Sequence, residues 1–147
     1  MSCYTGNLFE TEILFECAVV WDNYISYAKC IELVKSSQPR GWDPTDPPSV
    51  AGNDLHALVV EALDTDYSEV KLYTALHSAL DQFHGVDCFI EYQGRYATID
   101  LTINPYKDSY KADFVLQESD IYNNEGKVNQ KTLRIKAQAI AHRLQAN

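Results

Sequence analysis

Between Val86 and Ile103 apolar and polar positions alternate around Gln93-Gly94, the pattern of two half-buried strands joined by a two-residue turn. The period elsewhere is helical. Trp21, Tyr24, Ile25, Ala28, Ile31 and Val34 predict a helix over at least 20–35. The stretch from Thr11 to Val20 before it fits the same helix or a strand. Residues 36–53 carry Pro39, Gly41, Pro44, Pro47, Pro48 and Gly52 and read as a long loop or arm, with Trp42 as an amphipathic anchor. Asp54 is placed to cap a helix over 55–63. Asp66 and Glu69 form an acidic capping box before a helix over about 67–82, whose stripe is Leu72, Tyr73, Leu76, Ala79, Leu80 and Phe83. A third strand is expected over 112–116. Asn129 caps a closing helix over 130–145, with Leu133, Ala137, Ile140, Ala141 and Leu144 on one face.

The turn fixes the hairpin's register. With Tyr92 opposite Arg95, Ile90 faces Ala97, Cys88 faces Ile99 and Val86 faces Leu101 on an apolar side that ends at Ile103. The other side pairs Glu91 with Tyr96, Phe89 with Thr98 and Asp87 with Asp100. Strands clustered between helices give an α/β or α+β fold, with a short mixed sheet, an antiparallel hairpin at 87–103 and helices on both faces.

The chain has 147 residues, 46% of them apolar, which suits a single domain over 1–147 without disulfide or metal staples. Cys3, Cys17, Cys30 and Cys88 show no close pair, so neither a zinc site nor a disulfide framework is expected. No apolar run approaches the ~20 residues of a membrane span. The start lacks the features of a signal peptide, so the expectation is a cytoplasmic protein with no membrane partner. The net charge is -9, and it is uneven: residues 1–100 hold 16 acids and five bases, residues 101–147 five acids and seven bases. A face for nucleic-acid phosphates must therefore come from the last third, while the acidic part would attract a basic partner.

Two aspartates opposed across a ladder lie roughly 4.5–5.5 Å apart and repel. Three things can offset that: a shared proton, a Lys or Arg between them, or a divalent cation held by their oxygens. Where the strand end is open, solvent suffices.

His84-Gly85-Val86-Asp87, twelve residues, then Asp100-Leu101-Thr102 resembles the core of the PD-(D/E)XK nuclease superfamily over about residues 66–145. The resemblance implies a restriction-endonuclease-like fold and metal-assisted hydrolysis of phosphodiester bonds. It makes Asp87 and Asp100 ligands of Mg2+ or Mn2+, with the carbonyl of Leu101 as a third. Thr102 stands where the superfamily has lysine, and Lys107 is the substitute. Glu69 takes the place of the helix glutamate, with Glu61 or Glu10 as rivals. Lys111, Lys131, Arg134 and Lys136 become contacts to nucleic-acid phosphates. Tyr106, Lys107, Tyr110 and Lys111 interleave aromatic and basic residues as a stacking segment would.

The missing lysine and the negative charge support a second reading: a non-catalytic acidic interaction protein, such as a phage or mobile-element inhibitor or assembly subunit, binding a basic protein surface. The proline-rich loop adds a third, a self-associating domain exchanging an arm in a homo-oligomer. No P-loop, dinucleotide or esterase motif is present.

Overall fold

The computed structural model, which describes residues 6–17, 23–104 and 111–146, is an α+β fold built on one four-stranded mixed sheet. The strands are β1 (Val70–Thr74), β2 (Cys88–Tyr92), β3 (Arg95–Thr102) and β4 (Phe114–Gln117), adjacent in chain order. The first three form an antiparallel meander, and β4 runs parallel to β3. The helices are α1 (Gly6–Ile13), α2 (Tyr27–Ser36), α3 (Val50–Leu63), α4 (Ala79–His84), α5 (Glu118–Ile121) and α6 (Gln130–Gln145).

Helices cover both faces. Leu72, Ile90, Ala97, Ile99 and Leu116 pack against Phe9 and Ile13 of α1, Leu55 and Val59 of α3, and Leu133, Ala137 and Ile140 of α6. Tyr73 and Phe89 look the other way, onto Cys30, Ile31 and Val34 of α2 and Ala79 and Leu80 of α4. The buried apolar side chains of the strands thus meet a helical layer on either face.

The hairpin turns as its sequence predicts. Gln93 and Gly94 have φ of 51° and 76°, the two left-handed positions of a type I′ loop. Pairing from Tyr92–Arg95 to Cys88–Ile99 follows the expected register. Below that point it departs. The Asp87 N–H also donates to the Ile99 carbonyl, at 2.9 Å, so Asp87 and Cys88 together face one residue. That is a β-bulge, and an extra residue shifts which side chains face which layer. Val86 accordingly packs with Phe89 and Leu80, not with Cys88 and Ile90 as alternation predicts, and Asp87 no longer sits directly across from Asp100.

The helix expected over 67–82 is in fact β1, a turn and α4. Its stripe splits: Leu72 and Tyr73 lie on opposite faces of a strand, since pairing with β2 overrides a spacing that fits both periods. Asp66 makes no side-chain cap bond. Instead Ser78 caps α4, its hydroxyl accepting from the N–H of Leu80 (3.2 Å) and of Asp81 (3.5 Å). Further upstream, α3 begins five residues before the expected 55, capped by Ser49 rather than Asp54. The helix expected over 20–35 is realised only from Tyr27, as α2: residues 23–26 are non-helical, with Ser26 at the N-cap position, and 20–22 lie outside the described residues. Of the stretch left open as helix or strand, Thr11 to Ile13 is the end of α1 and 14–17 are irregular. The third strand begins at Phe114, two residues late, whereas α6 and its Asn129 cap fall where predicted.

Much of the proline-rich loop lies along β1. Trp42 is buried, and its indole N–H donates to the Leu72 carbonyl at 2.9 Å. The Leu72 N–H donates in turn to the Pro44 carbonyl at 2.8 Å. Gln38 grips Thr74 through both backbone groups, accepting from its N–H (3.0 Å) and donating to its carbonyl (2.9 Å).

Candidate functional site

Acidic side chains from four segments converge where β2 begins and β3 ends. Asp87, in the bulge, is 3% exposed, and Asp100, near the end of β3, is 7% exposed. The bulge leaves the Leu101 N–H facing the Asp87 side chain, and its carboxyl oxygen Oδ2 accepts that bond at 2.7 Å. Asp87 is also hydrogen-bonded to Asp100 and to Asp81 of α4. The charge of Glu10 on α1 reaches Asp87 as well.

Burial pushes the Asp87 carboxyl up to about 10, and the charge of Asp81 and the bond to Asp100 add to it; the Leu101 N–H works against them. Asp87 is therefore a neutral acid at pH 7, donating its proton within the cluster. Asp81 is raised too, first by burial, while the bonds from the His77 N–H and from Asp87 partly restore its charged form. Cys88 has its thiol held protonated by burial first and by Asp87 and Asp100 after it. The raised carboxyl of Asp87 fits the first of the three offsets considered, a shared proton.

His77 forms the rim. It has φ of 64°, and its N–H donates to Asp81 Oδ2 at 2.8 Å. Its ring lies 3.4 Å from Glu16, Nδ1 to Oε1. Donor atoms of Glu10, His77 and Asp81 all fall within 4.8 Å of one another.

The residues read from sequence are scattered around this centre. Asp87 and Asp100 come together. Leu101 joins them through its N–H rather than through the carbonyl proposed as a ligand. Glu69 does not join: Val70 pairs with Tyr92, whereas the Ala75 N–H donates to the Asp87 carbonyl. Six residues of extended chain separate Glu69 from the cluster, roughly 20 Å. Its rival Glu10 does arrive there, from α1. Glu61 lies on α3, bound by Arg134 at 2.6 Å, a bond that engages the guanidinium offered as a phosphate contact. Lys107 lies outside the described residues. Thr102 sits at the end of β3, its hydroxyl accepting the Asn104 N–H at 3.0 Å in a turn. Lys111, Lys131 and Lys136 are surface residues, with the two on α6 in the layer over the opposite side from α2 and α4.

Asp81 and His77 were missed. Ser78-x-x-Asp81 is itself a capping-box spacing, so the signal for Asp81 existed, but it was hidden inside the span read as one long helix. No protein-family model, curated protein or solved structure matches the chain.

Proposed function

We propose that the chain is a restriction-endonuclease-like protein whose carboxylate cluster takes Mg2+ or Mn2+ and acts on phosphodiester bonds of nucleic acid. The observation that carries this reading is the burial of Asp87 and Asp100 together, with Asp81 and Glu10 converging on them. The donors are all carboxylate oxygens, the set that suits hard divalent cations. Asp87 and Asp100 would hold the ion, with Glu10 on α1 in the role the resemblance gives to a helix glutamate. A bound ion supplies Lewis acidity and a bound water of lowered pKa. Asp87 must first lose its proton, so binding strengthens as pH rises. An acid, a hairpin, a second acid, a parallel strand and a closing helix also follow in the order the resemblance implies.

One observation favours the second reading. The Thr102 hydroxyl, at the lysine position, is engaged in a turn. A fold without its lysine, carrying a net charge of -9, would serve as a non-catalytic acidic protein for a basic partner surface.

Calorimetric titration of Mg2+ and Mn2+ at pH 8 into wild type and Asp87→Asn/Asp100→Asn, beside nuclease assays on single- and double-stranded substrates, separates the two. Binding and cleavage that vanish together in the double variant support the nuclease. Intact wild-type protein that neither binds nor cleaves overturns it in favour of the acidic binding protein.

A further inference from the structure

We infer that Glu10, His77 and Asp81 form a second cation site at the rim of the cluster, one with an imidazole donor and a preference for Zn2+ over Mg2+ and Ca2+. Three observations carry it. The donors come from α1, from α4 and from the turn before α4, yet all three lie within 4.8 Å of one another. Donors held at ~2.0–2.2 Å around a tetrahedral ion stand roughly 3.4 Å apart, so side-chain shifts of about an ångström close the set. The His77 ring has acid around it: donor atoms of Asp81 and Glu10 lie within 4.8 Å, and Glu16 lies 3.4 Å from Nδ1. A carboxylate beside a ligating imidazole is the arrangement that orients such a ring.

Nitrogen changes the selectivity. Carboxylate oxygens alone suit magnesium, calcium and manganese, whereas a set with imidazole suits zinc and similar first-row ions such as copper, iron and nickel. The buried pair Asp87 and Asp100 offers oxygen only, so the two parts of the cluster differ in the ion they prefer. Asp81 touches both, through its bond to Asp87 and through the His77 N–H. The site needs neither nucleic acid nor a substitute for the lysine, so it stands whether or not the chain is a nuclease.

The test is calorimetric titration of Zn2+, Mn2+, Mg2+ and Ca2+, each alone, into wild type, His77→Gln and Asp87→Asn/Asp100→Asn. Displacement of the His77 ring resonances by Zn2+ is followed by NMR. His77 is exposed, so its variant keeps the fold, and circular dichroism verifies this. We expect His77→Gln to weaken Zn2+ at least tenfold while changing Mg2+ less than threefold. The double aspartate variant should retain Zn2+ binding, and Zn2+ should shift the His77 ring resonances in wild type. Zn2+ affinity unchanged in His77→Gln overturns the rim site. So does an absence of Zn2+ binding to wild type at millimolar concentration. Zn2+ lost with His77 in a protein that cleaves nothing supports the rim site and removes only the nuclease.

Discussion

The two ends of the β2–β3 hairpin both withdraw charge from water, and they do it in opposite ways. At the turn end, Glu91 accepts a 2.6 Å hydrogen bond from Lys35 of α2, and Lys35 also reaches the Tyr96 hydroxyl at 3.0 Å and lies over its ring. Burial alone would raise the Glu91 pKa, but the bonds from Lys35 and Tyr96 outweigh it and hold Glu91 low. Lys35 is raised, first by its bond to Glu91. At the bulge end, Asp87 meets the charges of Asp81 and Glu10, both acidic, and keeps a proton instead. One end is an ion pair made by folding. The other is an acid that folding neutralises, at a cost in stability.

The largest difference between the ends shows in pH. Unfolded, Asp87 ionises near 3.8; folded, near 10. Between those values the folded state keeps a proton that the unfolded chain releases, so stability falls as pH rises. Asp87→Asn copies the neutral acid, still able to accept from Leu101 and donate to Asp100. It should raise stability at pH 7 by an amount on the order of 4 kcal/mol and flatten the pH dependence between 4 and 8. Urea unfolding at several pH values measures it; a destabilised variant would mean Asp87 is charged. Glu91 has the opposite sign. Its contribution is present above its ordinary pKa of 4.5 and fades as pH falls below it.

Lys35→Met breaks the paired end. It leaves Glu91 half-buried without its cation and should cost about 2–3 kcal/mol. Adding Glu91→Gln should recover part of that loss in a double-mutant cycle. Neither change should alter the stability gained from Asp87→Asn, because the strand separates the two ends.

Gly94→Ala acts on both ends equally. With φ at 76° and open space where a Cβ would go, the cost is backbone strain alone, about 1–2 kcal/mol. Chemical denaturation should show that loss with an unchanged pH slope. Arg134→Ala removes an exposed pair with Glu61 and serves as the control, with an effect below ~0.5 kcal/mol that shrinks further in salt.

Local chemistry explains what could be read from the chain. Gln93-Gly94 dictates a turn, the turn dictates a register, and the register brings Asp87 and Asp100 to neighbouring positions. Asn129 and the stripe behind it define α6 because cap and period agree. The bulge at Asp87 has no local marker, and it is what sends Val86 to the other face and opens the Leu101 N–H to the carboxyl. Leu72 to Phe83 fits a helix by spacing, and only pairing with β2 makes its first part a strand. Glu69 looked better placed than Glu10 because it is nearer in sequence, whereas α1 crosses to the cluster over a distance that spacing does not record.

The loop over β1 has a further consequence. An outer strand leaves a row of unpaired amides and carbonyls that can recruit a strand from another molecule, and proteins resist this by covering it. Here Gln38, Trp42 and the Pro44 carbonyl take up hydrogen bonds along that row from within the same chain. The segment works as a built-in guard against fibre growth. Loosening it, for example with Trp42→Ala, would leave the folded sheet with a sticky margin, so aggregation should rise before the hairpin or either charged end has begun to unfold.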